Sequence, residues 1–136
     1  MSLTDKTLPA PDPTQRQVVQ SYGPGRFRVS GVAWTAAILV TPDRTVAWEA
    51  ATAPMADALG VAALAPVLDA TPAVEVLLVG GGARAAFIPP ATRAALKARG
   101  LAVESMDTGA ACRTYNVLLA EGRRVAAALI PTPDGA

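Results

Sequence analysis

Histidine is absent from all 136 residues, and cysteine occurs once, at position 112. The first absence removes imidazole as a general base, a proton shuttle and a metal ligand, so His-based triads are excluded. The second excludes an intrachain disulfide and any multi-cysteine zinc or iron–sulfur site. No metal and no other cofactor is expected. Aromatic side chains are scarce at 4%, which leaves alanine, valine and leucine to fill the interior. Lysine is scarce as well, and the cations are mostly arginine, the residue suited to bidentate contact with carboxylates or phosphates. A formal net charge of +1 provides no broad field to draw nucleic acid, and no nucleic-acid partner is expected.

Long apolar runs are also missing. The stretches at Ala36–Val40, Val76–Val79 and Val125–Ile130 fall far short of the roughly 20 residues a membrane-spanning helix needs, so no transmembrane segment is expected. Residues 1–17 are polar and punctuated by proline, without the apolar core of a signal peptide. These features lead to the expectation of a cytoplasmic protein, for which a peripheral place at a membrane complex stays open.

What is present is a chain with 51% hydrophobic and 17% charged residues, enough for one packed domain and too short for two ordinary ones. Pro9, Pro11 and Pro13 mark residues 1–14 as a flexible extended arm. Residues 15–131 are expected to form the single α/β domain, and 132–136 a flexible tail. Val18 and Val19 begin a strand before the turn Gly23-Pro24-Gly25, and Phe27, Val29 and Val32 continue a strand broken by Gly31. Strands at 35–40 and 45–48 complete a β meander. Apolar residues from Met55 to Val67 recur at helical spacing, although Gly60 and Pro66 interrupt it.

The remaining two thirds alternate strand, helix, strand, helix, strand. Val74–Val79 is almost continuously apolar, as in a strand covered on both faces. Pro89-Pro90 opens a helix that Gly100 closes. Leu101–Met106 is the next strand. Asp107 or Thr108 caps a helix reaching about Glu121, which Gly122 stops. Arg124–Ile130 is the last strand. Such alternation implies crossover packing on a mostly parallel or mixed sheet.

If the strands at 74–79 and 101–106 are parallel neighbours, their carboxyl ends share one edge of the sheet, where ligands bind in open α/β folds. That edge gathers Gly80, Gly81, Gly82 and Arg84 opposite Asp107, Thr108, Cys112, Arg113 and Asn116. Glycines admit a ligand close to the backbone, a helix N-terminus offers N–H donors, and an arginine adds charge, so the group is a candidate site for a small anion or a partner. The glycine run is neither a dinucleotide fingerprint nor a P-loop, and strand-end turns commonly look the same. Cys112, in the first turns of its helix beside Arg113, has the setting of a reactive thiolate. A lone cysteine on an apolar helical arc with no base is more simply a packing residue, and no catalytic residue is assigned. Basic and aromatic residues also interleave in Tyr22–Val29, read as a hairpin with solvated arginines. Phe27, Trp34 or Trp48, if exposed, would suit a protein interface.

Four segments taken together resemble a known family. They are Tyr22-Gly-Pro-Gly-Arg-Phe-Arg-Val-Ser-Gly31, Val74-Glu-Val-Leu-Leu-Val-Gly80, Met106-Asp-Thr-Gly-Ala-Ala-Cys-Arg-Thr-Tyr-Asn116 and Glu121-Gly-Arg-Arg-Val-Ala-Ala-Ala-Leu129. Their order is similar to that in the family called domain of unknown function 498, which includes the third assembly factor of mitochondrial complex I (NADH dehydrogenase). The resemblance covers about Arg16 to Pro131. It implies a three-layer α/β domain with a central mixed β-sheet. For the mitochondrial members it implies protein contacts during assembly of the respiratory NADH dehydrogenase, and it supplies no catalytic residues. The sequence departs from the family at Gly81, where the strand-end loop often carries threonine, and it lacks a mitochondrial transit peptide, which fits a bacterial-type member. The leading expectation is a non-enzymatic assembly or interaction protein whose partners are respiratory complex I subunits. The alternative is a small-anion binder or an enzyme using the crevice at the carboxyl edge of the sheet.

Overall fold

The computed structural model describes residues 16–133. The expected arm at 1–14 and positions 134–136 of the expected tail lie outside the described residues. The chain opens with an antiparallel meander of β1 (Val19–Gly23), β2 (Arg26–Val29) and β3 (Val32–Trp34). In β2 the side chains alternate, with Phe27 and Val29 buried and Arg26 exposed. Gly25, at φ 67°, makes the first turn. The second corrects the reading of Phe27 to Val32 as one interrupted strand. Val29 pairs with Val32, so Ser30 and Gly31 form a two-residue loop. Both hold positive φ, 42° and 89°, the backbone signature of a primed hairpin turn that folds the strand back on itself.

The chain then enters a second, five-stranded sheet. Its strands are β4 (Ile38–Val40), β5 (Thr45–Ala47), β6 (Val76–Gly80), β7 (Ala102–Met106) and β8 (Val125–Leu129), in the order β5-β4-β8-β6-β7. β6 runs parallel to both β7 and β8, while β4 is antiparallel to β8, so the sheet is mixed. All five residues of β8 are buried, which its Val-Ala-Ala-Ala-Leu sequence permits because both faces are covered. Alternate residues serve two cores. Leu39, Leu77, Val79, Ala126 and Ala128 face one, and Ile38, Val40, Leu78, Ala127 and Leu129 face the other.

The first core is closed by a 3-10 turn at Glu49–Thr52 and by α1 (Met55–Ala58), α2 (Ala65–Leu68) and α3 (Pro90–Ala98). The helical spacing between Met55 and Val67 resolves into two single turns. Pro66 lacks the N–H that a continuous helix would require there and sits in the first turn of α2 instead. The second core is closed by α4 (Thr108–Ala120) together with the three-stranded sheet. Buried on α4 are Ala111, Cys112, Tyr115 and Leu119, the arc its spacing defines. The molecule is therefore a three-layer α/β domain around a mixed sheet. Gly100 and Gly122, at φ 84° and 79°, follow α3 and α4 as left-handed terminators. No helix among the described residues is long and apolar enough to cross a membrane.

This topology creates the position of the site. From β6 the chain passes to α3 on one face, whereas from the adjacent β7 it passes to α4 on the other. Connections that part to opposite faces leave a crevice beyond the carboxyl ends of the two strands. Thr132 bridges to Pro24, and the Gly25 amide donates to the Thr132 carbonyl at 2.9 Å, which brings the first turn of the meander to the same edge.

Candidate functional site

Gly80 to Arg84 and Asp107 to Arg113 do lie together at this edge, but most of their polar groups are used in joining the strand ends. Thr108 is the junction. Its hydroxyl accepts from the Gly82 amide at 2.8 Å and donates to the Ile130 carbonyl at 2.6 Å. Its own amide donates to the Gly82 carbonyl at 2.9 Å. The Gly81 amide donates to the Met106 carbonyl, and the Ile130 amide to the Gly80 carbonyl. The loop after β6, the start of α4 and the end of β8 thus form one network, and Thr108 is 1% exposed.

The glycines admit the chain's own backbone. A Cβ on Gly80 would lie 2.9 Å from the Thr108 Cα, and one on Gly81 would lie 2.3 Å from the Arg84 carbonyl oxygen. Gly82, at φ 92°, turns the chain out of the strand. The amides of the α4 N-terminus are largely engaged as well. Asp107 is the cap, its Oδ1 accepting from the Ala110 amide at 2.9 Å, and the Thr108 amide is held by Gly82.

Cys112 points into the second core and is 1% exposed. Burial pushes its thiol up to about 12, a shift that the nearby Arg113 cation only partly opposes. A thiol held this firmly in its neutral form is a packing residue. Asn116 is also structural. Its Nδ2 donates to the Val19 carbonyl at 2.8 Å, and its Oδ1 accepts from the Val19 amide at 3.0 Å. Arg84 is exposed on the loop.

An open pocket of about 570 Å³ remains beside this network, between the first turn of the meander and the first turns of α4. Of the sequence candidates, Gly82, Asp107 and Arg113 line it. Tyr22 and Gly23, distant in sequence from that edge, line it too, as does Gly109 within the Asp107–Arg113 segment. Tyr22 comes from the first hairpin, and its hydroxyl accepts from Arg113 Nη1 at 2.5 Å across 91 positions. Gly109 is a fitted contact, since a Cβ there would come within 3.2 Å of both the Tyr22 ring and the Arg113 guanidinium. Arg26 lies over Gly23, whose Cβ would meet its guanidinium carbon at 2.8 Å. Of the interleaved stretch Tyr22–Val29, Tyr22, Gly23 and Pro24 line the pocket, and its arginines do not.

Of the three residues named for an apolar interface, two are buried and Trp34 is half-buried against the second core. Phe27 and Trp48 are each 2% exposed, and Trp48 Nε1 donates to the Ala58 carbonyl at 3.0 Å. With so few aromatics, the core claims them. The large apolar side chains left in solvent among the described residues are instead Val18, Tyr22, Val61, Phe87 and Val117, with Phe87 at 77% exposure.

Comparison with known proteins agrees with this layout. Residues 19–130 match the family described as protein of unknown function (DUF498/DUF598). An uncharacterised protein of Rhodobacter capsulatus is 37% identical over 115 residues, covering 85% of each chain. The NADH dehydrogenase [ubiquinone] 1 alpha subcomplex assembly factor 3 of Danio rerio is 36% identical over 118 residues, 87% of this chain. The aligned region is 66% of that relative's own length. Among solved structures, a Bordetella pertussis protein described as a Mth938-like domain superposes with a TM-score of 0.75 at 33% identity, covering 94% of both chains.

Proposed function

This chain belongs to the DUF498/DUF598 family of proteins of unknown function, and from that premise we propose that it is a non-enzymatic interaction protein in the assembly of respiratory NADH dehydrogenase. It binds subunits of that complex from the cytoplasm, at the periphery of the membrane. The observation that carries this reading is its 36% identity, over 87% of its length, to a relative named as a complex I assembly factor. Exposed Phe87 supports it, since aromatic side chains left in solvent are enriched where proteins meet.

A second reading, a small-anion binder or an enzyme at the carboxyl edge, draws on the pocket at the switch point. Against it stand the engagement of the Thr108 and Ala110 amides at the α4 N-terminus and the neutral, buried Cys112. The deciding experiment deletes the gene in its own organism and resolves membrane complexes on native gels. The assembly role predicts less mature NADH dehydrogenase and an accumulated subcomplex, both restored by the wild-type chain. Normal assembly in the deletion strain overturns it. Stabilisation of the protein by phosphates, nucleotides or small carboxylates in a thermal-shift series would favour the second reading.

A further inference from the structure

We propose that α3 and the loop before it form a face that binds an anionic lipid bilayer directly, with Arg84, Arg93, Lys97 and Arg99 meeting headgroup phosphates and Phe87 entering the interface. The inference deepens the reading above, on which its place at the membrane rests, and adds that this chain makes the membrane contact itself.

The charge distribution carries it. From Val76 to Val103 the chain holds four of its twelve cations and none of its eleven acids. The other eight cations are outnumbered by the acids, so a nearly neutral protein is polarised toward this one unit. All four cations are exposed, and among the described residues none has a carboxylate within ion-pair distance. Glu104, which ends the run, follows Val103 in β7, and strand alternation turns it to the face of the sheet opposite α3.

The surface between these cations is apolar. Arg93 lies toward the edge strand β7, where its guanidinium donates to the Val103 carbonyl, and Arg99 lines a groove on the other side of the helix. Pro90, Ala91, Ala94 and Ala98 fall between these flanks and are exposed, where a surface helix ordinarily carries polar residues. The groove, about 470 Å³, continues that surface to the exposed Val61. Phe87, the most exposed large apolar side chain among the described residues, stands just before the N-terminus of α3.

An exposed aromatic suits protein and lipid alike, and the spread of the cations decides. A cluster that grips one acidic segment converges on a cleft, whereas these four are set along both flanks of α3 and on the loop before it. A bilayer offers a plane of phosphates over an apolar interior, which matches that spread. Arginine and lysine stems reach the headgroups while the alanines and Phe87 settle at the acyl boundary.

The test sediments the full chain with vesicles of phosphatidylcholine alone and with vesicles containing about 30% phosphatidylglycerol, with soluble polyglutamate titrated in parallel. Binding is expected to the anionic vesicles only and to fall away in about 0.5 M sodium chloride. K97Q/R99Q is expected to bind about 25-fold more weakly, near fivefold for each cation removed. R26Q/R123Q removes the same charge from exposed positions off this face and is expected to bind as wild type does. Phe87→Ala, at an exposed position, is expected to cost about fivefold or more, as partial burial of a phenylalanine predicts. Equal binding to neutral vesicles, an equal loss in R26Q/R123Q, or binding unaffected by K97Q/R99Q or by Phe87→Ala overturns the proposal. Tighter binding to polyglutamate than to vesicles assigns the face to an acidic protein and overturns it as well. The deletion strain separates the two readings. Normal complex assembly without the chain, with vesicle binding intact, overturns only the assembly role. Defective assembly without the chain, with no vesicle binding, overturns only the lipid contact.

Discussion

Asn116 holds the backbone of Val19 by both its polar atoms, accepting from the amide at 3.0 Å and donating to the carbonyl at 2.8 Å. The two residues are 97 positions apart. The side-chain amide reproduces the paired donor and acceptor of a neighbouring strand, so α4 completes the open edge of β1 where no strand lies. Tyr115, one residue earlier, adds a bond from its hydroxyl to the Gln17 carbonyl at 2.8 Å. Together they fasten the small sheet to α4.

Replacing Asn116 with alanine should therefore destabilise the fold by about 1–3 kcal/mol, the usual range for leaving part-buried backbone groups unpaired. Asn116→Asp, when ionised, keeps the acceptor for the Val19 amide and loses the donor to the Val19 carbonyl, so it should be less stable than wild type at neutral pH and recover as acid restores an O–H donor. Urea denaturation of the three proteins checks the order. Equal stability of Asn116→Ala and wild type would mean that solvent replaces the clamp.

The parts of this architecture that were legible in the sequence are local. The apolar run at Val74–Val79, the cap at Asp107 and the stop at Gly122 each declare themselves within a few residues, and β6 at Val76–Gly80, α4 and β8 lie close to where they indicate. The Ser30-Gly31 turn was hidden because serine rarely adopts positive φ and apolar residues continue on both sides. The site was legible by half. Glycines at 80–82 announced a close approach, but not that the chain itself makes it. The other wall comes from Tyr22, joined to Arg113 by tertiary packing that no local spacing encodes.

Thr108 offers a sharper test of the strand-end junction. Thr108→Val preserves shape and removes one hydroxyl that serves the Gly82 amide and the Ile130 carbonyl together. Each orphaned group should contribute about 1–3 kcal/mol of lost stability, while Thr108→Ser should recover most of it. Thermal unfolding resolves a change of this size. Indistinguishable melting of the valine and serine variants would show that the hydroxyl is dispensable.

Glycine substitutions separate close packing from backbone conformation. Gly81→Ala drives a methyl to 2.3 Å from the Arg84 carbonyl oxygen, so the loop must move, at a cost of about 1–3 kcal/mol or more. Gly122→Ala meets open space and suffers only from its φ of 79°, which predicts a loss of about 1 kcal/mol. The shifts of backbone amide resonances should extend through residues 80–86 in the first variant and stay near α4's end in the second. A uniformly small effect of Gly81→Ala would show that the loop relaxes freely.

The thiol of Cys112 makes a prediction in pH. Burial raises its titration from an ordinary 9.0 to about 12 in the folded protein. Between those values an unfolded chain has lost the proton and the folded chain retains it. Folding therefore binds more protons, and stability must fall as pH rises from about 9 toward 12, with the full contribution present below 9. Tyr115 is shifted upward too, mainly by burial, and adds to the decline from pH 10 upward. Cys112→Ala should flatten the part of the slope that begins near 9 while lowering stability at neutral pH through the small cavity it leaves. Urea midpoints measured from pH 7 to 11 on wild type and variant isolate the thiol's share. In the same frame, a thiol reagent at pH 8 should modify folded Cys112 only as fast as the protein opens, and the rate should rise with urea. Rapid labelling independent of urea would mean that the side chain is accessible and the upward shift is absent.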